Sequence, residues 1–174
     1  NSLSGGADDQ RPFIRKVKAG WLPLAGDWNG DGRDGVGFYD PATGTFRFKQ
    51  DPTTGRLMGL TVRIAEWQEG MIPLAGDWDG DGRDSVGLFD PDTNTFRLLN
   101  ALASGSATVV FDFADGNALL PIVGDWDGDG IDTPGFYNTG SAEFSLTGRT
   151  GTAIETVFQL GEPGRAAVPL AGGW

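Results

Sequence analysis

The chain has 174 residues, and neither cysteine nor histidine is among them. Without thiols there is no disulfide framework and no Cys-ligated zinc or iron. Without imidazole the usual transition-metal ligand is missing, and so is the usual general base near neutral pH. Any metal must therefore be held by oxygen, which selects a hard cation such as calcium. No apolar run approaches the roughly 18 residues needed to span a bilayer. No segment keeps a 3.6-residue apolar period over helical length either, so the expectation is an all-β fold. Hydrophobic content of 39% and aromatic content of 11% are globular values. The chain opens NSLSGGADDQ, without Met and without the regions of a signal peptide, which fits a processed mature chain or a piece of a longer one. Residues 1–10 read as a flexible tail, and residues 11–174 as a single repeat domain.

Basic residues are scarce: 24 acids face 13 Lys and Arg, for a net charge of −11. Eleven of the acids lie in three short segments, GDWNGDGRD, GDWDGDGRD and GDWDGDGID, and the other 13 match the 13 basic residues. The negative excess is thus confined to these loops. One divalent ion in each would bring the formal charge to about −5. A surface with so little positive charge does not suit nucleic acid, which demands basic residues.

The acidic segments are landmarks of a repeat. PLAGDWNGDGRDGVGFYDPATGTFRF begins at Pro23, PLAGDWDGDGRDSVGLFDPDTNTFRL at Pro73 and PIVGDWDGDGIDTPGFYNTGSAEFSL at Pro121. A truncated PLAGGW begins at Pro169 and carries Gly173 where the first loop Asp would stand. Asp27, Asp77 and Asp125 are 50 and then 48 residues apart, a period typical of stacked supersecondary units such as propeller blades. Within a unit, LPLAGD leads into the loop, VGFYD leaves it, a polar DPATGT-type turn follows, and TFRF alternates as a half-buried strand does. A fourth β-branched stretch closes each unit, as LTVRIAEW, ATVVFDF and AIETVFQL. The reading is a β-propeller-like array of four-stranded antiparallel units. It has three full repeats, at about 21–67, 71–113 and 119–160, with a partial unit at each end: RPFIRKVKAGW before them and residues 168–174 after them. Open β edges at those ends favour pairing, either with each other or with neighbouring chains.

Numbered from Asp27, the first loop places Asp27, Asn29 and Asp31 at positions 1, 3 and 5 and Gly32 at position 6. The backbone carbonyl of Arg33 follows at position 7 and Asp34 at position 8. Asp77, Asp79, Asp81, Arg83 and Asp84 repeat the pattern, as do Asp125, Asp127, Asp129, Ile131 and Asp132. The first six positions match the start of an EF-hand loop, in which alternating oxygens wrap one calcium ion. The bidentate Glu at position 12 is missing; Phe38, Leu88 and Phe136 stand there, inside strands. The same loop geometry set between strands is therefore expected. A bare Asp-Gly turn is the alternative, but a hairpin needs only two such residues, not spaced acids in three copies. Close carboxylates repel, and a divalent cation offsets that repulsion.

DWNGDGRD, DWDGDGRD and DWDGDGID, each followed by a VGFYD-like strand, resemble repeats of the FG-GAP/VCBS type over about residues 12–174. The resemblance implies propeller blades, with a calcium loop between the first and second strands. Asp27, Asn29, Asp31, Asp77, Asp79, Asp81, Asp125, Asp127 and Asp129 carry over as ligands. That family's last acid stands at position 9, where this chain has Gly35, Ser85 and Thr133. Its acid falls one residue earlier, at Asp34, Asp84 and Asp132, leaving direct ligation, ligation through water and loop orientation all open. About three calcium ions are expected.

Trp28, Trp78 and Trp126 occupy loop position 2, and Trp174 the matching place in the truncated unit. Packing between units is the favoured role for these indoles, with exposed stacking on sugars the alternative. The expectation for function is an extracellular structural or adhesive module. Its loops are rigidified by the millimolar calcium outside cells, and its incomplete terminal units support oligomers, filaments or a longer repeat array. A lectin-like propeller with a glycan or protein surface ligand is the alternative. An enzyme is not expected, because the clustered acids belong to the repeats and no singular constellation stands out.

Overall fold

Each acidic loop joins two strands whose side chains alternate between two apolar surfaces, and the fold follows from stacking those surfaces. A computed structural model describes residues 17–49, 59–113, 119–148 and 154–163. The expected tail over residues 1–10 and the partial unit over 168–174 lie outside the described residues, as does most of the leading partial unit. The described residues form three four-stranded antiparallel sheets and no helix. The first sheet is a meander of β1 (Leu22–Gly26), β2 (Gly35–Asp40), β3 (Thr45–Lys49) and β4 (Thr61–Val62). The second comprises β5 (Ile72–Gly76), β6 (Ser85–Asp90), β7 (Thr95–Leu98) and β8 (Val109–Asp112). In the third are β9 (Leu119–Gly124), β10 (Thr133–Asn138), β11 (Glu143–Thr147) and β12 (Ile154–Gln159). Every sheet runs in sequence order, so each repeat closes its own hydrogen-bond ladder before the next begins.

Register decides which residues share a face, because partners opposite one another in a ladder point the same way. Tyr39, Phe46 and Val62 line up across β2, β3 and β4, as Phe89, Phe96 and Phe111 do across β6, β7 and β8. These side chains form what is here termed the trailing face of each unit. The opposite, leading face carries Val86 and Leu88 in the second unit and Phe136 in the third. The trailing face of unit one packs on the leading face of unit two, giving one buried cluster with Trp28, Phe48 and Leu99. Unit two packs on unit three in the same way, with Phe96 within 5.0 Å of Phe111 and 5.3 Å of Phe136 between ring centroids. The core is therefore not inside any one repeat. It lies between consecutive repeats, so a single unit cannot bury its own apolar face.

The first strands β1, β5 and β9 run beside one another and line one open cavity of about 560 Å³, together with Asp34, Asp84 and Asp132. The fourth strand of unit one is shorter than its sequence suggested: Thr61 and Val62 are in register with Arg47 and Phe46 of β3, and Leu60 O accepts the Phe48 N–H at 3.1 Å. The rest of LTVRIAEW turns toward unit two. Arg63 N–H donates to Ser104 Oγ at 3.0 Å, Gly105 N–H to Arg63 O at 3.1 Å, and Ala65 N–H to Gly105 O at 2.8 Å. Backbone pairing with the next unit has displaced pairing within the sheet. Trp67 then folds back, its indole N–H donating to Tyr39 Oη at 2.8 Å.

Replacing Phe96 by Ala should cost about 3–5 kcal/mol, since it empties a fully buried site between two sheets. Val110→Ala on the exposed side of the neighbouring strand should stay within about 0.5 kcal/mol. Denaturant unfolding of the two variants checks both values.

Candidate metal loops

The loop between the first and second strands is shaped by its own leading carboxylate. Asp27 Oδ1 accepts the N–H groups of Gly30 and Asp31 at 2.8 and 3.1 Å, and Oδ2 that of Gly32 at 2.7 Å. Asp77 collects Gly80, Asp81 and Gly82 at 2.8, 3.2 and 2.8 Å. Asp125 collects Gly128, Asp129 and Gly130 at 2.8, 3.1 and 3.0 Å. Wrapping the backbone this tightly around one side chain requires φ of +77°, +81° and +84° at position 6, where Gly32, Gly82 and Gly130 stand. The Gly130, Gly128 and Asp129 N–H groups stabilise the anion of Asp125 and hold its carboxyl below the ordinary range.

Positions 3 and 5 turn toward the same point. One carboxylate oxygen each from Asp77, Asp79 and Asp81 lie within 4.8 Å of one another, and so do those of Asp125, Asp127 and Asp129. In the first loop Asn29 stands between Asp27 and Asp31, with its Nδ2 donating to Asp31 Oδ2 at 3.1 Å. The donors are all oxygen and lie on the surface, a set that suits a hard cation taking further oxygens from carbonyl and water. At position 1, Oδ1 accepts two N–H groups and has both lone pairs engaged, whereas Oδ2 accepts one and keeps a second lone pair, so the cage orders the loop and leaves an oxygen open to an ion.

Position 8 does something else. Asp84 Oδ2 reaches back to the preceding loop and accepts the backbone N–H of Asp27 at 2.6 Å. The Asp84 N–H in turn donates to Asp27 O at 2.9 Å. The pair is repeated one unit on, with Asp77 N–H donating to Asp132 Oδ2 at 2.9 Å and Asp132 N–H to Asp77 O at 2.7 Å. Asp84 and Asp132 lie outside the two clustered carboxylate groups. Both are half-buried, whereas Asp34, the first copy, is exposed. The glycine before position 1 leaves room for this reach: a Cβ on Gly26 would sit 2.7 Å from Asp84 Oδ2, and one on Gly76 3.0 Å from Asp132 Oδ2. Position 7 also faces the preceding loop. The Arg83 and Ile131 side chains pack so closely over Gly30 and Gly80 that an added Cβ would meet each at 2.9 Å.

The position 2 indoles lie beneath the loops. Trp28 and Trp78 are only 5% and 8% exposed, and Trp28 meets Phe48 edge-on at 4.8 Å. Trp126 is half-buried and donates its N–H to Thr133 O at 3.0 Å. Buried indoles leave no open face for a sugar ring, which removes support from a lectin-like use of Trp28 and Trp78. The docking role of Asp84 and Asp132 was not foreseen from sequence. Its signal is present in the repeats, as the constant pairing of Gly before position 1 with Asp at position 8. No family model, curated protein or solved structure matches this chain.

Burial pushes the Asp84 carboxyl from 3.8 up to about 6; the Asp27 N–H opposes this, and the carboxylates of Asp132, Asp34 and Asp27 add to it. Burial likewise raises Asp132. A folded-state value above the unfolded one means that Asp84 favours the fold fully below about pH 4, and that this contribution is lost as pH rises through about 6. Asp84→Asn keeps an acceptor for Asp27 N–H and removes the charge. In chelator-treated protein the variant should gain thermal stability over wild type between about pH 4 and about pH 7. Melting curves followed by circular dichroism across that range provide the measurement.

Proposed function

We propose that this chain is an extracellular calcium-binding structural or adhesive module, a propeller-like array whose three Asp-rich loops each take one ion. The observation that carries the reading is the clustering of carboxylate oxygens at positions 1, 3 and 5 of the second and third loops within 4.8 Å, on a backbone already wrapped around position 1. Resemblance of the loops to FG-GAP/VCBS repeats, and their place between the first and second strands, support the same reading. Position 8 gives the ion a structural consequence. Because Asp84 and Asp132 tie each loop to its neighbour, ordering one loop constrains the next. Calcium at the millimolar level found outside cells suits exposed loops with few protein ligands. Self-association extends the array beyond the units of one chain.

Calorimetric titration of chelator-treated protein should give about three calcium ions per chain, and Asp79→Ala should remove one of them. Calcium at a hundredfold excess over Kd should stabilise the fold by about 2.7 kcal/mol per site, visible as a higher Tm that EDTA reverses. A melt indifferent to both calcium and EDTA would overturn the proposal.

A further inference from the structure

The interface between successive units is built twice within this chain, from the same two halves each time. The trailing half presents position 1 backbone and an aromatic face; the leading half presents the position 8 carboxylate and a β-branched or aromatic face. Both halves occur once more, incompletely covered among the described residues: on the leading face of unit one Phe38 is 6% exposed, with Trp21 at 6.5 Å between ring centroids, but the cover does not extend to the start of β2. On unit one, Asp34 is exposed where Asp84 and Asp132 are pinned, and Val36 is 40% exposed where Val86 is fully buried. On unit three, Phe144 and Leu146 are half-buried where Phe46 and Phe48 are buried. Phe158, which pairs with Phe144 as Val62 pairs with Phe46, is 41% exposed against 0% for Val62. Asp125 is exposed as well, and no position 8 carboxylate reaches its backbone N–H among the described residues.

We propose that the leading face of unit one docks on the trailing face of unit three in a second copy of the chain, with Asp34 accepting the Asp125 N–H. The contact continues the interface that already joins units one, two and three, and it is heterologous, so copies add head to tail. A second copy fits better than the chain's own Pro169–Trp174. That segment is six residues long, whereas Val86 and Leu88 are covered by residues of several strands, among them Phe48 and Val62. This inference deepens the self-association in the proposed function, yet it runs through a position 8 carboxylate and a backbone amide rather than the oxygens of positions 1, 3 and 5. It therefore stands apart from calcium binding.

Sedimentation velocity of the full chain, with calcium and with EDTA, tests it. Wild type should associate with rising concentration, and Asp34→Ala should weaken the association by roughly tenfold, the usual loss for a hydrogen bond to a charged group. Val36→Glu and Phe158→Glu alter one exposed face each, and each variant alone should be monomeric with a melt like that of wild type. Mixed together, they should form a one-to-one dimer that grows no further, because one intact face of each kind remains. Failure of the mixture to associate overturns the proposal, as does a wild type that stays monomeric under both conditions. A monomer whose Asp34→Ala variant melts lower places the occupant within the chain and likewise overturns it. Calorimetry on the same samples reads calcium binding separately, so the two ideas fail independently.

Discussion

The carboxylate of one repeat hydrogen-bonded to the backbone of the previous repeat sets the geometry of this molecule. Asp84 on Asp27 and Asp132 on Asp77 each form a closed pair of hydrogen bonds, side chain to N–H in one direction and N–H to carbonyl in the other. Two bonds between two fixed backbones leave little freedom in how adjacent sheets are placed. The rest of the sequence accommodates that placement. Gly26 and Gly76 clear the approach, Arg83 and Ile131 cover the neighbouring loop, and the indoles of Trp28 and Trp78 fill the space beneath. The aromatic layers then meet at the depth this interlock allows, and Phe96 is surrounded from two sheets at once.

The same interlock also carries an electrostatic load. A carboxylate withdrawn from water beside other carboxylates is held with its proton affinity raised, as the value near 6 for Asp84 shows. Asp125, in the same loop as Asp132, whose carboxyl burial also raises, has the opposite character, since three N–H groups stabilise its charge in the open. One short loop thus contains acids of two kinds: an exposed anion organised by its own backbone, and a half-buried one committed to a neighbour. Under the proposed calcium reading, this division separates the work of holding an ion from the work of holding the array together.

Much of the fold was legible in the sequence, because the repeat lays strand, loop, strand and turn in fixed order. Alternation in TFRF and TFRL is that of a half-buried strand, and the register places Phe46 and Phe96 on the buried face. The loops were legible by spacing alone. Positions 1, 3 and 5 cluster in the second and third loops because a two-residue step around a tight turn brings side chains to one side. The role of position 8 was hidden for a physical reason: its partner is a backbone amide 57 or 55 residues away, and a backbone group has no sequence signature. The shortened β4 was hidden likewise. LTVRIAEW reads as strand throughout, but after Val62 its backbone finds Gly105 of the next unit. Competition between two acceptable backbone partners is decided in three dimensions, and local propensity is silent on it.

Among the described residues, the hydrogen bonds between units and the shared buried clusters join consecutive repeats, and units one and three share none of those clusters. Length then becomes a free variable. Duplicating or deleting one whole repeat in the gene would recreate the same junction at the splice, provided the cut falls at equivalent positions. The 50- and 48-residue spacings show that the insert need not even be constant in size. A fold joined this way can change its reach in single steps while each seam stays the same.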